Sequence, residues 1–338
     1  MDFRSDNTSA CAPEIMAAVH AANVGAASAY GADDLTQRLD AVFSELFECE
    51  ARVFTVTTGT AANAIALASA VPPWGGVICH EEAHVACDEC GAPEFYSGGA
   101  KLLLVGGKNA KVAPAEITDV LARHNRSPHA VKPAALSISQ TTERGAVYIR
   151  EELAALGAAA RAANLVFHVD GARFANAAAA LGASPAELTW KAGVDLLSFG
   201  ATKSGAMGAE AIVAFDGARA EEIVRRRKRG GHLLSKGRYA AAQLLAYLEG
   251  GLWLRLAARA NGLAGRLGEA AAPFLSAPVE SNQVFIRPGN EALERLRAAG
   301  ALFYNWGGDN TGEARLVVSW NQAEADVGVM CALLNALR

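Results

Sequence analysis

The chain has 338 residues, of which 51% are hydrophobic and 20% are charged, and its formal net charge is −4. This composition excludes general disorder and provides enough apolar residues for a large core. It argues against a protein that is attracted broadly to nucleic acid or to anionic membranes. No apolar run reaches the roughly 18 residues of a membrane span, and the charged N-terminal sequence is not typical of a signal peptide. We therefore expect a cytoplasmic protein.

Short apolar runs alternate with segments of helical periodicity between residues 33 and 215. Apolar strands that are separated by helices are typical of a parallel sheet covered on both faces. The predicted fold class is therefore α/β, a mostly parallel sheet flanked by helices. The predicted strands are 52–57, 77–79, 101–105, 134–139, 165–169, 195–199 and 211–215. The predicted helices in this part of the chain are 33–47, 60–70, 114–124 and 149–163.

The pattern changes after residue 229, where two glycines follow a basic run. Two long helical stretches between 235 and 274 precede a small α+β unit. Its predicted strands are 283–287, 301–304 and 315–320, and its predicted helices are 291–299 and 324–337. We place a domain boundary near residue 250. This gives a large domain over 1–250, which includes the N-terminal segment, and a small C-terminal α+β domain over 251–338.

Three ends of predicted strands carry unusual residues, and ligands in such folds lie at the carboxyl ends of the strands. Gly59 and Thr60 open a helix whose N-terminal N–H groups could bind a phosphate. Asp170 ends a buried strand, and Arg173 could pair with it. Lys203 follows the next strand among small residues, where desolvation would lower its pKa and make the amine a nucleophile toward carbonyl groups. Each feature has an ordinary alternative: a capping turn, a structural ion pair and a surface lysine.

The three features are more informative together. A phosphate site, an acid that keeps a ring nitrogen protonated and an amine that can form an imine are what pyridoxal 5′-phosphate (PLP) requires. The separation of Asp170 and Lys203 is 33 residues. Because this is roughly the length of one βαβ unit, the two residues should lie on neighbouring strand ends. The sequence therefore predicts a PLP enzyme.

Six segments carry a resemblance to a known family: FRSDNT at 3–8, YGADDLT at 30–36, TGTAAN at 58–63, CHEEAH at 79–84, HVDGARFANA at 168–177 and SFGATKSGA at 198–206. In these segments the chain resembles the low-specificity L-threonine aldolases, PLP enzymes of fold type I, and the branch that includes phenylserine aldolases. The resemblance implies reversible cleavage of threonine, allo-threonine or phenylserine to glycine and an aldehyde. It also implies a homo-oligomer, dimer or tetramer, with the active site near the subunit interface.

The resemblance assigns cofactor contacts to individual residues. Gly59 and Thr60 would bind the phosphate, and Asp170 would pair with the pyridine nitrogen. Arg173 would lie beside the ring hydroxyl, and Lys203 would bond to the cofactor aldehyde. The two remaining cofactor residues are His84, which would stack on the ring, and Lys236, which would replace a family arginine that reaches the phosphate from a neighbouring subunit.

The same resemblance assigns the substrate contacts, which are Ser5, Tyr30, Arg173 and Arg315. Among these, Ser5 and Arg315 would hold the substrate carboxylate. The candidate bases for the β-hydroxyl proton are His84 and His129, because histidine titrates near neutral pH. The sequence does not decide between them.

One segment departs from the family pattern. Many members have Glu-Asn-Thr-His after the strand predicted at 134–139, whereas this chain has Ser-Gln-Thr-Thr at 139–142. The histidine of that motif is therefore missing. Other fold-type-I reactions, such as β-elimination or transamination, stay open as alternatives, because the cofactor site does not specify which bond is broken.

A zinc peptidase is a further alternative, because His80 and His84 match H-E-x-x-H. That motif needs a helix that presents both histidines on one face, and His80 follows a predicted strand. We therefore expect no metal. The three nearby cysteines are predicted to be small buried apolar groups: Cys79, Cys87 and Cys90.

Overall fold

The computed structural model describes residues 1–124 and 127–337, and its main feature is a seven-stranded sheet. The strand order is β1-β7-β6-β5-β4-β2-β3, and only β7 runs antiparallel to the other strands. The strands are β1 (Arg52–Val56), β2 (Gly75–His80), β3 (Lys101–Val105), β4 (Lys132–Ser139), β5 (Val166–Gly171), β6 (Leu196–Gly200) and β7 (Glu210–Ala214). The predicted α/β class is confirmed, and each of the seven strands predicted between residues 52 and 215 forms with its ends shifted by at most two residues.

Fourteen α-helices are present in the described part of the chain. They are α1 (Pro13–Ala21), α2 (Asp34–Gln37), α3 (Leu39–Phe47), α4 (Gly59–Ala70), α5 (His84–Cys87), α6 (Ala92–Ser97), α7 (Pro114–His124), α8 (Arg150–Ala162), α9 (Phe174–Leu181), α10 (Ala220–Arg229), α11 (Arg238–Leu248), α12 (Leu252–Ala271), α13 (Asn290–Ala298) and α14 (Glu324–Asn335). The single helix predicted over 33–47 is wrong in one respect, because it is divided at Arg38 into α2 and α3.

The sheet is covered on both faces, as the near-continuous burial of its strands requires. Val53 of β1 packs into the core beneath α3, α8, α9 and α11, whereas its neighbour Phe54 packs into the core beneath α4 and α10. On the first face, Phe199 of β6 contacts Phe43 edge to face, with ring centroids 5.2 Å apart, and lies 6.1 Å from Trp253. This aromatic packing fixes the strand that leads to Lys203.

The C-terminal unit is a three-stranded antiparallel sheet with α12, α13 and α14 against it. Its strands are β8 (Gln283–Ile286), β9 (Tyr304–Asn305) and β10 (Ala314–Val317), in the order β8-β10-β9. The strand predicted at 301–304 is mostly absent, because Leu302 instead forms a bridge with Asp2.

Two observations bear on the predicted division into 1–250 and 251–338. Phe3 is fully buried in the core of the small unit, and its backbone bonds to Leu302 and Val317. Helix α12 contributes Trp253 to the core of the large unit and Leu267 to that of the small unit. The division at residue 250 stays a prediction. Phe3 does not follow it, because the predicted large domain includes Phe3 whereas its side chain packs in the core of the small unit. Across the described residues, no helix is long and apolar enough to cross a membrane.

Candidate active site

A cavity of about 270 Å³ lies at the edge of the sheet where the parallel strands end. The antiparallel strand β7 begins at this edge, so Glu210 pairs with Gly200 and Val56 and lines the same cavity. Six residues that were predicted to form the site also line it: Gly59, Thr60, His84, Asp170, Arg173 and Lys203. The topology thus brings together side chains that are far apart in the sequence.

The turn after β1 forms one wall of the cavity. Thr58 caps α4, its hydroxyl accepting a hydrogen bond from the N–H of Ala61 at 3.1 Å. Gly59 and Thr60 form the first turn of this helix, and the space where a Cβ of Gly59 would lie is open. The helix N-terminus therefore presents N–H groups and a positive partial charge to the cavity.

Lys203 lies in a short 3-10 turn, Thr202–Ser204, that directly follows β6. Gly205 ends the turn with φ +119°, and a Cβ there would lie 2.9 Å from Leu256, so the turn requires glycine. Burial and the neighbouring Arg173 charge lower the pKa of the Lys203 ammonium, although Asp6 and Asp170 partly oppose this. A lowered pKa makes the neutral, nucleophilic amine easier to reach.

Asp170 is buried at the end of β5, and neutral donors hold its carboxylate. The Asn63 side chain donates to it at 2.8 Å, and the N–H of Ala172 donates at 3.0 Å. The Asn63 Nδ2 group donates its second hydrogen to Glu89, also at 2.8 Å. Asn63 therefore bridges two buried carboxylates. Their mutual repulsion and the cost of burying them are reduced by this shared hydrogen-bond donor. Sequence analysis assigned no role to Asn63 or to Glu89.

His84 begins α5, and its Nδ1 lies 2.9 Å from Glu89. This hydrogen bond raises the pKa of His84, although burial opposes it. Burial raises the pKa of Glu89, although the hydrogen bonds from His84 and Asn63 oppose this. His84, Glu89 and Asp170 offer atoms within 4.8 Å of one another, close enough to hold a cation, but Asn63 already joins the two carboxylates.

Arg173 is buried and forms a two-pronged ion pair with Asp6, at 2.8 and 2.9 Å. Asn282 adds a third hydrogen bond to Asp6 at 3.1 Å. Burial alone would raise the pKa of Asp6, but the charges of Arg173 and Lys203 outweigh it and lower that pKa. Asp6 therefore stays ionised and orients Arg173 toward the cavity. The sequence analysis quoted Asp6 inside a motif but gave it no role.

Ser5 and Arg315 lie near the site without lining the cavity. Ser5 caps the short 3-10 helix Asp6–Thr8 by accepting from the N–H of Asn7, and Asn7 itself lines the cavity. Arg315 of β10 places its guanidinium 5.0 Å from the Trp306 ring centre, and its buried Nε has no hydrogen-bond partner among the described residues. Burial and the charge of Arg173 lower the pKa of Arg315. A guanidinium whose buried Nε lacks a partner is suited to an incoming carboxylate.

Three predicted residues do not reach the cavity of their own chain. Tyr30 is 54% exposed and lies 4.5 Å under the Lys228 ammonium, and Lys236 is also exposed. His129 is exposed and precedes β4, so it lies at the sheet edge opposite the cavity. The assignment of His129 as a base therefore stays a prediction, and it requires that a second copy of the chain brings His129 to the site.

The H-E-x-x-H segment does not form the helix that a zinc peptidase needs. His80 ends β2, with Nε2 against the Gly107 carbonyl at 3.1 Å and Nδ1 accepting from the N–H of Glu82. His84 lies in the separate helix α5. Of the three cysteines predicted to be buried, only Cys79 is; the prediction is wrong for Cys87 and Cys90, which are exposed.

Two acidic residues of the cavity were missed by the sequence analysis. Glu143 comes after β4 and directly follows the segment 139–142 that departs from the family pattern. Glu210 is buried beside the Lys203 turn, where its carboxylate accepts from the N–H of Thr202 at 3.3 Å. Burial raises the pKa of Glu210 to about 7, against the opposing effect of the Thr202 hydrogen bond. A single acidic residue at the start of an apolar strand was the available signal for Glu210.

The chain is similar to known proteins over almost its whole length. The beta-eliminating lyase family matches residues 2–288. A low specificity L-threonine aldolase of Pseudomonas sp. (strain NCIMB 10558) is 45% identical, over 99% of this chain and 97% of its own. One from Pseudomonas aeruginosa is 46% identical, over 94% and 92% of the two chains. A solved structure of Leishmania major threonine aldolase has a TM-score of 0.93 at 28% identity and covers 99% of each chain. The similarity therefore includes both the large and the small unit.

Proposed function

Because the chain belongs to the beta-eliminating lyase family, we propose that it is a PLP-dependent aldolase that splits L-β-hydroxy-α-amino acids reversibly into glycine and an aldehyde. Threonine, allo-threonine and phenylserine are the proposed substrates. The observation that carries this proposal is that Lys203 and Asp170 line one cavity together with the N-terminus of α4. These are the amine, the acid and the phosphate site that the cofactor needs.

The residues of the cavity fit this cofactor. The side-chain oxygen of Asn63 is buried without a hydrogen-bond partner among the described residues. Unsatisfied buried polar atoms are costly, and a bound polar group would give them partners. Gly59 leaves open space at the start of α4, which allows a phosphate to approach the backbone.

Each group would have a separate task in holding the cofactor. Gly59 and Thr60 would bind its phosphate, and Lys203 would bond to its aldehyde carbon. Asp170, fixed by Asn63, would keep a proton on the pyridine nitrogen, and His84 would stack on the ring. Bound PLP would supply an electron-withdrawing ring that accepts the electron pair released at Cα.

The protein would also orient the substrate. Arg315 would bind the substrate carboxylate through its guanidinium, and Ser5 lies in the adjacent N-terminal segment. Holding the carboxylate fixes which bond at Cα is aligned for cleavage. Arg173 stays beside the cavity because its Nε and one Nη donate to the two carboxylate oxygens of Asp6.

We further propose that the active protein is a homo-oligomer. The exposed positions of Tyr30, Lys236 and His129 support this, because a second subunit could present them to a cavity that their own chain does not reach. Size-exclusion chromatography with light scattering would test it. A monomer that is fully active would refute it.

The reaction is tested by incubating the purified protein, loaded with PLP, with threonine. We expect acetaldehyde and glycine in equal amounts, together with a visible absorption band before substrate is added. Formation of ammonia and a 2-keto acid would instead indicate β-elimination, the reaction for which the matched family is named. The same assay with allo-threonine and phenylserine measures the side-chain preference.

A further inference from the structure

Glu143 occupies a distinctive place in the cavity. It follows β4 and lines the cavity together with His84, Arg173 and Lys203. Its Oε1 accepts two hydrogen bonds, from the Ser139 hydroxyl at 2.8 Å and from the N–H of His84 at 3.0 Å. No hydrogen bond to Oε2 is found among the described residues. The carboxylate is thus held by one oxygen, and the other is free to take a proton.

We propose that Glu143 is the catalytic base that removes the proton of the substrate β-hydroxyl. This rests on the aldol cleavage proposed above and adds the residue that performs its proton transfer. A base needs a fixed position, an open lone pair and access to the substrate. The hydrogen bonds from Ser139 and from the His84 backbone fix the position of the Glu143 carboxylate. Its Oε2 atom provides the open lone pair, and its place in the cavity gives access to the substrate.

Glu143 lies among positively charged side chains. Its negative charge acts on Arg173, Lys203 and Arg315, the three cations that surround the site. Arg173 is already paired with Asp6, whereas Arg315 forms no ion pair with a carboxylate in the part of the chain that the structure describes. Arg315 is the proposed anchor of the substrate carboxylate. The substrate would therefore be held on the side of the cavity that Glu143 faces.

His84 is the weaker candidate for this step. Its Nδ1 is engaged by Glu89, and that hydrogen bond favours the protonated ring. A protonated imidazole has no lone pair to accept a proton. His129 lies at the opposite edge of the sheet in its own chain, so it could act only from a second subunit, whereas Glu143 lies in the cavity itself. The histidine of the Glu-Asn-Thr-His pattern is missing from 139–142, and Glu143 follows this segment directly.

In the proposed step, Glu143 takes the proton of the substrate hydroxyl. The O–H bond of the substrate breaks, and its proton passes to Oε2 of Glu143. The electron pair of that bond becomes the second bond of the aldehyde carbonyl while the Cα–Cβ bond breaks, and bound PLP would supply the ring that takes up the electron pair of the Cα–Cβ bond. Glycine forms when Cα takes up a proton. In the reverse direction Glu143 returns the proton to the new hydroxyl.

The test uses Glu143→Gln in the PLP-loaded enzyme, because glutamine keeps an oxygen for Ser139 and His84 but cannot take the proton. Two reactions are compared: cleavage of threonine, and exchange of the glycine α-proton in D2O followed by NMR. Exchange involves no hydroxyl. We expect kcat for cleavage to fall by about 100-fold or more with KM little changed. Glycine exchange and the visible spectrum should stay within about threefold of the wild type.

Two further variants complete the design. Glu143→Asp keeps a carboxylate and should cleave at least about tenfold faster than Glu143→Gln. Glu81→Gln changes an exposed acid beyond β2 and should leave both reactions unchanged. The proposal is overturned if cleavage by Glu143→Gln stays within about tenfold of the wild type. It is equally overturned if exchange falls in parallel with cleavage, since Glu143 would then only position the site. A wild-type enzyme that exchanges glycine protons but does not split threonine would overturn the proposed function as well.

Discussion

The guanidinium of Arg173 donates to both carboxylate oxygens of Asp6, and these two buried residues join the N-terminal segment to the end of β5. The contact spans 167 residues of sequence. Because Asn282 of the small unit also donates to Asp6, the pair ties the small unit to the cavity wall. The ion pair contributes little net free energy to folding, because the burial of both charges is costly. Its main effect is to hold Arg173 in place.

Asp6→Asn should therefore be strongly destabilising. It leaves the Arg173 charge buried without a counter-charge, and loss of one partner of a buried pair costs about 3–5 kcal/mol. Urea denaturation followed by circular dichroism measures the free energy of unfolding. Asp2→Asn is the matched control, because Asp2 pairs with Arg4 at the surface and should change that free energy little. Equal effects of the two substitutions would contradict the assigned importance of Asp6.

Lys203→Ala should abolish the covalent attachment of the cofactor. The wild type should show visible absorption that borohydride converts into a stable label on the peptide containing residue 203. In the variant we expect neither the label nor threonine cleavage, because no other lysine lines the cavity within the described residues. Mass spectrometry of peptides after reduction is the measurement. A borohydride-stable label elsewhere in the variant would show that a different amine performs this role.

Asn63→Ala should weaken cofactor binding. The substitution removes the donor shared by Asp170 and Glu89, and hydrogen bonds to charged groups contribute about 1.5–3 kcal/mol. The Kd for PLP should therefore rise by about tenfold or more. Asn176→Ala is the control, because Asn176 bonds to Asn261 away from the cavity and should lower stability without changing that Kd. Fluorescence titration with PLP distinguishes the two variants.

Arg315→Ala should chiefly affect substrate binding. If its guanidinium binds the substrate carboxylate, kcat/KM for threonine should fall by about 10- to 100-fold, mostly through KM. Arg315→Lys keeps the charge but loses the two-pronged geometry, so it should recover only part of the activity. The Kd for PLP should be unchanged in both variants. A variant with an unaltered KM would exclude this contact.

The fold was largely predictable from the sequence because the apolar strands are continuous runs bounded by helices. The error at 33–47 arose because Arg38 ends one helix and begins the next without any residue that breaks a helix. The strand predicted at 301–304 is longer than the observed β9 and begins earlier, because Leu302 pairs with Asp2 and not with β10. This pairing joins distant parts of the chain. Local pattern carries no information on such pairings.

Some residues of the candidate site were predictable from local sequence and others were not. Asp170 and Lys203 were predictable because each directly follows a strand. Asp6, Asn63 and Glu89 were not, because their roles depend on which buried partner they meet across the fold. For His129 the sequence offered no information on position, and the direction of β4 places it at the edge of the sheet opposite the cavity of its own chain.

Glu210 gives a prediction for stability against pH. Burial raises its pKa from 4.5 to about 7, so the folded chain keeps a proton that the unfolded chain releases at lower pH. Between these values the folded state binds more protons, and its stability must fall as the pH rises. The full loss is about 3 kcal/mol above pH 7. Glu210→Gln removes this ionisation while keeping an acceptor for the N–H of Thr202.

The variant should therefore gain stability over the wild type as the pH rises. The difference in unfolding free energy should grow by about 3 kcal/mol between pH 4.5 and pH 8 in the cofactor-free protein. Urea denaturation at several pH values measures it, with Glu81→Gln as an exposed control whose difference should stay constant. A difference for Glu210→Gln that is independent of pH would mean that Glu210 titrates normally. The carboxylate would then be solvated in the folded state, in conflict with its burial beside the Lys203 turn.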